Sequence, residues 1–462
     1  MSLTTARRIA ELVSAEGGRA LIVGGWVRDT LLGRPNKDID IEVYGVPADR
    51  LRTLLEQGIG PVNTVGESFT VYKVADVDVS LPRIESKIGR GHRAFAVTGD
   101  PALTQTEAAR RRDFTINAIL WDPLTGEYID PFGGREDLGR GVLKAVDRET
   151  FPEDSLRVLR AVQFAARFEF QLDPGTRELC ARIPLDDLPA ERIWGEIEKL
   201  LLQARRPSLG LTLALELGVL DKLFPEIKAL VGCEQEPDWH PEGDVWVHTL
   251  MVVDQARSRI DDLARAQQIT VMLGALLHDV GKPPTTAYVD GRIRSIDHEQ
   301  AGVDPALRVL DRLNVHSIDG FDVRHHVTGI VAHHLKPLSF FKSVTPVGDG
   351  AFRRLAQKVD LELLARVAKS DCLGRTGTFD CSGIDWFAGR ARELGVEHKA
   401  PEPILKGRHL LDLGVAPGPR MGAILREVYE RQLDGRVTTL EEGVAAAREV
   451  MAATGAADGR RS

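Results

Sequence analysis

The chain has 462 residues, 43% of them hydrophobic and 28% charged, with a formal net charge of −8 and a pI near 5.9. That length is enough for about three domains with sizeable cores, and the acidic balance excludes a protein that coats nucleic acid by bulk charge while leaving room for a local basic surface. Cys180, Cys233, Cys372 and Cys381 show neither zinc-knuckle nor disulfide-framework spacing, and neither a signal core nor a bilayer-length apolar run is present, so a reduced, cytoplasmic, non-membrane setting is expected.

Residues 1–145 alternate strand-like and helix-like pieces. In Lys37-Asp38-Ile39-Asp40-Ile41-Glu42-Val43, side chains two apart share a strand face, so Asp38 and Asp40 project together while Ile39 and Ile41 turn to a core. Paired carboxylates repel unless a cation sits between them, and hard divalent ions of phosphoryl-transfer enzymes fit that need. Just upstream, Gly24-Gly25 lets backbone N–H groups approach a triphosphate, and Arg28 follows on a helix start with a guanidinium suited to phosphate. The Asp-Ile-Asp spacing alone also fits a half-buried strand with a wet face; the glycines and Arg28 favour phosphoryl transfer.

Val71–Val74 and Val77–Ser80 read as adjacent strands of a mixed sheet. Asp78 is a third inward carboxylate or an exposed strand residue, the latter being preferred. Basic residues cluster at Arg83, Lys87, Arg90, His92 and Arg93, then at Arg110, Arg111 and Arg112. In Arg111–Ala118, Asp113 and Asn117 are one helical turn apart, either as a cap and its support or as part of a site.

From about residue 146 the pattern is helical. Phe151-Pro152-Glu153-Asp154 opens a helix on which Glu153, Asp154, Arg157 and Arg160 form one ribbon, with Val158, Leu159 and Val162 turned to packing. That ribbon is either a salt-bridged surface or a base reader. An ionised Asp only accepts hydrogen bonds and an Arg only donates them. Cytosine and adenine each offer an amino donor beside a ring-nitrogen acceptor, whereas uracil and guanine offer the reverse, so one Asp–Arg pair accepts C or A and rejects U or G. Residues 191–203 form another helix, with an apolar stripe of Ile193, Trp194, Ile197, Leu200 and Leu201. Gly232–Gly243 reads as a loop, helices fill 245–335 and 350–373, Gly374–Gly383 is irregular, and Thr438-Thr439-Leu440-Glu441-Glu442 is a capping-box start for a last helix. His248, the pair His278-Asp279 and Asp371 each fall in helical context. Imidazoles with carboxylates suit Mn, Fe, Ni, Co or Mg, which predicts a metallohydrolase site. His298 and His334 line the same pocket or bind substrate phosphate, while His240 and His325 are assigned structural roles.

In these residues the chain resembles bacterial CCA-adding tRNA nucleotidyltransferases of class II, the poly(A)-polymerase-like family, in the longer form with a C-terminal HD phosphohydrolase domain. The motifs are Gly24–Asp29 through Asp40, Arg111–Ala118, Asp130-Pro131-Phe132-Gly133-Gly134 with Asp137-Leu138, Glu153–Arg160, Glu191-Arg192 with Glu196, Trp239–Asp244 leading to His248, His278-Asp279, and Asp371 with Gly374–Gly377. The resemblance implies an α+β, polymerase-β-like head with helices around its sheet (1–145). An all-α neck and body for base selection and RNA binding (146–230), an HD domain (231–385) and a helical tail (386–462) follow. It implies addition of C, C and A from CTP and ATP to a tRNA 3′ end; no protein partner is deducible from the sequence. Asp38 and Asp40 would be catalytic and hold two Mg²⁺; Gly25, Arg28, Arg112, Asp113, Asn117 and Arg160 would bind the nucleotide. Asp154 and Arg157 would read the base edge with support from Glu153. His248, His278, Asp279 and Asp371 would hold a divalent transition metal or Mg²⁺ that hydrolyses 2′,3′-cyclic phosphates, 2′-nucleotides or other phosphomonoesters.

Two features depart from or qualify the family pattern. Gln163 stands where many relatives carry another Arg, and Pro82–Thr104 covers a mobile element that relatives use to switch from C to A. Addition of only CC or only A, a poly(A) polymerase, and a phosphohydrolase with an RNA-binding head are the alternatives.

Overall fold

A computed structural model describes residues 2–65, 71–87 and 95–458. The chain divides into two compact units, Met1–Pro225 and Glu226–Ser462.

The first unit is built on a mixed sheet. Its strands are β1 (Arg19–Val23), β2 (Ile39–Tyr44), β3 (Val62–Val65), β4 (Val71–Val74) and β5 (Val77–Ser80); a separate hairpin pairs β6 (Arg83–Lys87) with β7 (Phe95–Gly99), and β8 (Leu120–Trp121) and β9 (Tyr128–Ile129) complete the sheet. The order is β3-β4-β5-β2-β1-β8-β9, antiparallel except for the β2–β5 pair. Strand alternation sorts β2 as expected. Ile39, Ile41 and Val43 are buried in a core with Ile9, Ala10 and Val13 of the first helix, while Asp40 and Glu42 face the other way. The parallel register sets Asp40 beside Asp78. Residues 88–94 of the expected switching element, with Arg90, His92 and Arg93, lie outside the described residues.

Two local expectations are corrected. Asp113 and Asn117 do not share an α-helical turn: the Gln105–Arg110 helix ends first, Phe114 is extended, and Thr115–Asn117 is a single 3-10 turn. Burial of Phe114 edge-on against Phe151 and Phe164 outweighs continuing the helix. Nor do Glu153 and Asp154 lie in the first turn of the helix that follows. Phe151–Glu153 is a 3-10 turn, Asp154 is extended, and the α-helix is Leu156–Phe168. Asp154 Oδ1 instead accepts the Leu156 N–H at 3.1 Å, serving an orphan donor at the helix start. In the next long helix, Ala190–Gln203, Ile193, Ile197, Leu200 and Leu201 are buried as predicted, and Trp194 is half-buried.

The second unit is mainly helical. Arg265–Leu277 is its central helix, buried at almost every position from Ile269 onward, and it packs against the helices Val245–Arg257, Val323–His333 and Leu361–Leu373. Gly274 permits this, since a Cβ there would sit 3.0 Å from Ile330. Two short hairpins interrupt the predicted helical run: Thr286–Val289 with Arg292–Ser295, and Ser317–Ile318 with Phe321–Asp322. Each turns on an Asp-Gly pair with both φ angles positive, at Asp290-Gly291 and Asp319-Gly320. Cys372 and Cys381 form a disulfide from the end of one helix to the start of the next, correcting the expectation that the cysteine spacing holds none. The last helix begins at Leu440, where Thr439 and Glu442 exchange the predicted capping-box bonds. No helix among the described residues is long and apolar enough to cross a membrane.

Candidate active sites

The polar face of β2 floors a cavity of about 620 Å³ in the first unit. Eight arginines and a lysine line it against five carboxylates, so a chain of net charge −8 concentrates positive charge in one cleft. An anionic ligand is the natural occupant. Asp40 is open to water, yet desolvation by the protein packed around its carboxyl pushes it above the ordinary range; Arg112 opposes this, and Asp78, Asp38 and Glu42 add to it. Asp38 lies one residue before β2, and its N–H donates to Asn36 Oδ1 at 3.0 Å. Asp78 is on the Asp40 side of the sheet and lines the cavity, correcting the preference for a purely exposed residue. Lys73 Nζ donates to both of its oxygens, at 2.8 and 3.0 Å. Asp78 therefore has a cation already, while the mutual repulsion of Asp38 and Asp40 fits a divalent ion.

The predicted phosphate-binding arginines line the cleft, but each is first tied to an acid. Arg28 is buried against the rings of Phe164 and Phe168 and donates to Asp29 at 2.8 Å and to Asn117 Oδ1 at 2.7 Å. Arg112 donates to Glu42 at 2.7 Å, and Tyr44 donates to the other Glu42 oxygen at 2.8 Å. Arg160 donates to Asp113 at 2.6 Å, and Asn117 Nδ2 donates to Asp113 at 2.9 Å. Burial pushes the Asp113 carboxyl up, but Arg160, Asn117 and the Phe114 N–H outweigh it and hold it below the ordinary range. Glu42 and Asn36 were not predicted; Glu42 is signalled only by being two residues after Asp40 on the same strand face. Of the glycine pair, Gly24 rather than Gly25 is sterically required. Its φ is 73° and a Cβ would meet Arg112 at 3.1 Å, whereas a Cβ on Gly25 meets nothing closer than 3.6 Å.

Asp154 and Arg157 both border the same cleft. Arg192 donates to Asp154 Oδ2 at 2.9 Å, and Arg157 donates to the Thr150 and Arg111 carbonyls at 2.8 and 2.6 Å, so both groups are fixed in position. Glu153 does not line the cavity. Gln163 does; it is buried, and its Oε1 has no hydrogen-bond partner among the described residues.

The second unit carries a separate cavity of about 320 Å³. His248 Nε2 lies 3.1 Å from Asp371 Oδ1, and its Nδ1 lies 2.8 Å from Glu242. His278 and Asp279 enter from the end of the central helix, and all four predicted ligands are buried. Asp279 and Asp371 stay well below the ordinary carboxyl range because cationic and imidazole neighbours outweigh their burial. Both Asp279 oxygens and His278 Nε2 are nevertheless buried without a hydrogen bond among the described residues, which is a donor set suited to a metal ion. His298 and His334 line the cavity, and burial pushes His334 down to about 3. His240, expected to be structural, also lines it, 2.9 Å from Glu242; His325 lies outside, at the exposed start of its helix. Lys282 and Arg375 complete a cationic wall.

Three family models match the chain: the poly A polymerase head domain over residues 20–144, a probable RNA and SrmB-binding site of polymerase A over 169–230, and the HD domain over 245–370. The multifunctional CCA protein of Chromobacterium violaceum is 40% identical over 321 residues, covering 68% of this chain and 74% of that protein. The protein of that name from Nitrosococcus oceani is 36% identical over 367 residues, covering 77% and 85%. Among solved structures, the Bacillus stearothermophilus CCA-adding enzyme in complex with CTP shares the fold with a TM-score of 0.65 at 22% identity, over 100% of both chains. The Thermotoga maritima CCA-adding enzyme complexed with tRNA gives 0.58 at 19%, over 98% of this chain and 95% of that one.

Proposed function

The chain belongs to the family of multifunctional CCA proteins, and from that premise we propose that it adds C, C and A stepwise to tRNA 3′ ends from CTP and ATP and hydrolyses phosphate esters at a second centre. Residues 1–145 carry the transfer, 146–230 select the base and bind RNA, 231–385 hydrolyse, and 386–462 form the tail. The observation that carries the first activity is the meeting of Asp40, the arginines and the Asp154–Arg157 pair in one cationic cleft.

Domains of both kinds use divalent metals; here Asp38 and Asp40 would hold Mg²⁺, which lowers the barrier to attack by a 3′-hydroxyl and to loss of pyrophosphate. Arg112, held by Glu42, and Arg160, held by Asp113, offer their remaining N–H groups to the phosphates. Asp154 accepts from the amino group of C or A, and Arg157 donates to the adjacent ring nitrogen. In the second unit His248, His278, Asp279 and Asp371 would hold a divalent transition metal or Mg²⁺ that supplies an activated water, with Lys282 and Arg375 drawing in the phosphate.

The test is to incubate the protein with tRNA lacking its terminal CCA, Mg²⁺, CTP and ATP, and to sequence the 3′ ends. Products ending in CCA support the reading. Ends that stop at CC, gain only A on a CC-ended tRNA, or grow into long A tails on unrelated RNA would replace it with a narrower adding enzyme or a poly(A) polymerase. No extension at all would overturn it.

A further inference from the structure

One covalent tie of the second unit stands beside its cavity. Cys372 is the penultimate residue of the helix Leu361–Leu373, directly after Asp371, and its bond to Cys381 joins residues 9 apart in sequence. In a reducing setting, disulfides are usually transient and catalytic or redox-sensing. The bond encloses a loop, residues 373–380, in which Thr376, Gly377, Thr378 and Asp380 are exposed. Arg375, in the same loop, turns inward and lines the cavity.

Arg375 has donors to spare for an anion. Its Nε is buried without an acceptor among the described residues, and its Nη2 reaches Asp371 Oδ1 only at 3.4 Å. The guanidinium lies over the Phe379 ring, 5.3 Å from the centroid, so the loop itself supports it. The loop's backbone tie to the cavity is slight: the Thr376 N–H donates to Glu242 Oε2 at 3.4 Å. Its two ends are firmer. Gly374 packs on Val252, where a Cβ would meet a methyl carbon at 2.6 Å, and Lys369 Nζ donates to the Cys381 carbonyl at 3.2 Å. Between those ends the cross-link limits the freedom of an exposed loop, because joining the ends removes its open conformations.

We propose that Cys372 and Cys381 form a redox latch on this cavity. Bonded, they hold the loop so that Arg375 faces the phosphate of the substrate. Reduced, they release the loop, and the ester is held less tightly. The exchange balances with two external thiols. One thiolate attacks the bond and forms a mixed disulfide; the second displaces it. The cysteine pair gains two electrons and two protons, and the two thiols leave as one disulfide. Both cysteines are buried, so exchange follows local opening of the exposed loop. The proposal rests on the hydrolase reading above, and its test separates the two.

The full chain is equilibrated in glutathione buffers running from reduced to oxidised, and the bonded fraction is read by alkylation and peptide mass spectrometry. The pair is expected to titrate within that range. Trypsin, applied to the native chain, should cut after Arg375 about 10-fold faster in the reduced form, because the released loop opens more often. With added Mn²⁺, KM for 2′,3′-cyclic AMP should rise roughly 10-fold on reduction, the low end for one lost charge-assisted contact, with kcat within about twofold. Cys381→Ser should match the reduced form in every buffer. Arg375→Ala should keep the titration of the pair and lose the redox dependence of KM. A pair wholly reduced or wholly bonded across the range would overturn the latch, as would an equal KM in two hydrolysing forms. Redox-dependent cleavage at Arg375 with no hydrolysis in either form would overturn the hydrolase reading and leave the latch on the loop standing. Equal cleavage with no hydrolysis would overturn both.

Discussion

Arg160, one turn into a helix that follows the sheet domain, donates its Nε–H to Asp113 Oδ2 at 2.6 Å across 47 residues of sequence. Through Asn117 the same carboxylate reaches Arg28 and then Asp29. Three predicted motifs are therefore one buried hydrogen-bonded network, and their arginines are positioned before any ligand arrives. Arg160→Ala would leave the buried Asp113 unpaired. A destabilisation of about 3 kcal/mol is expected, at the lower end for breaking a buried pair because Arg160 keeps some water contact. Denaturant unfolding of the variant measures it. Because the folded Asp113 carboxyl sits below its unfolded value of about 3.9, its contribution is present above that pH and is lost as pH falls through the lower folded value. Asp113→Asn should flatten the acid limb of the stability profile; an unchanged limb would assign it to other carboxylates.

Asp40 has the opposite sign. Its folded carboxyl is raised, so ionisation opposes folding, and the penalty is absent below the unfolded value and complete above the folded one. At neutral pH in EDTA, Asp40→Asn should melt above the parent. Added Mg²⁺ should raise the melting temperature of the parent and leave the variant nearly unmoved. Nucleotide addition by the variant should fall by more than the roughly 10–100-fold typical of groups that only support a metal ligand. A parent indifferent to Mg²⁺ would argue against a metal at Asp40.

The glycine pair gives a contrast within two residues. Gly24→Ala forces a Cβ to within 3.1 Å of the Arg112 guanidinium at a φ of 73°, and a cost of about 1–3 kcal/mol is expected for that backbone. Displacement of Arg112 should lower addition as well. Gly25→Ala has only ordinary contacts at 3.6 Å or more and should change stability by less than about 1 kcal/mol. Equal damage at the two positions would contradict this assignment of strain.

The two cavities lie in separate compact units, with no residue in common. His278→Ala should therefore remove phosphohydrolase activity, assayed with 2′,3′-cyclic AMP, while leaving tRNA extension within about twofold; the bound stands because sites without shared partners act additively. Parallel loss of both activities in folded protein would refute that independence.

Strand alternation made much of this legible. It sorted Ile39 and Ile41 from Asp40, and the Asp–Arg donor logic pointed to two residues that do border the cleft. Illegible were partners supplied from distant segments: Arg192 on Asp154 and Glu42 on Arg112. Spacing along a chain carries no distance between such segments. Helical periodicity also misplaced Asp113 and Asp154, because burying Phe114 and the extended turn at Asp154 overrode local preference. The two Asp-Gly hairpins were a signal within reach, hidden inside a run of apolar helices.

Arg192 offers the sharpest test of base reading. Its Nη2–H holds Asp154 Oδ2 at 2.9 Å while Leu156 N–H holds Oδ1, so the carboxylate is fixed with lone pairs to spare for an incoming amino group. Arg192→Ala removes one charge-assisted bond, worth about 1.5–3 kcal/mol. If that energy serves orientation, the preference for CTP and ATP over UTP and GTP should weaken by roughly 10-fold or more, in single-nucleotide addition assays run at equal substrate. Asp154→Asn goes further, because an amide also donates and can satisfy the carbonyl oxygen of uracil or guanine. Its expected signature is UMP or GMP incorporation rather than uniform loss. A uniform fall for all four nucleotides in both variants would mean that Asp154 supports the helix start and that the base is read elsewhere.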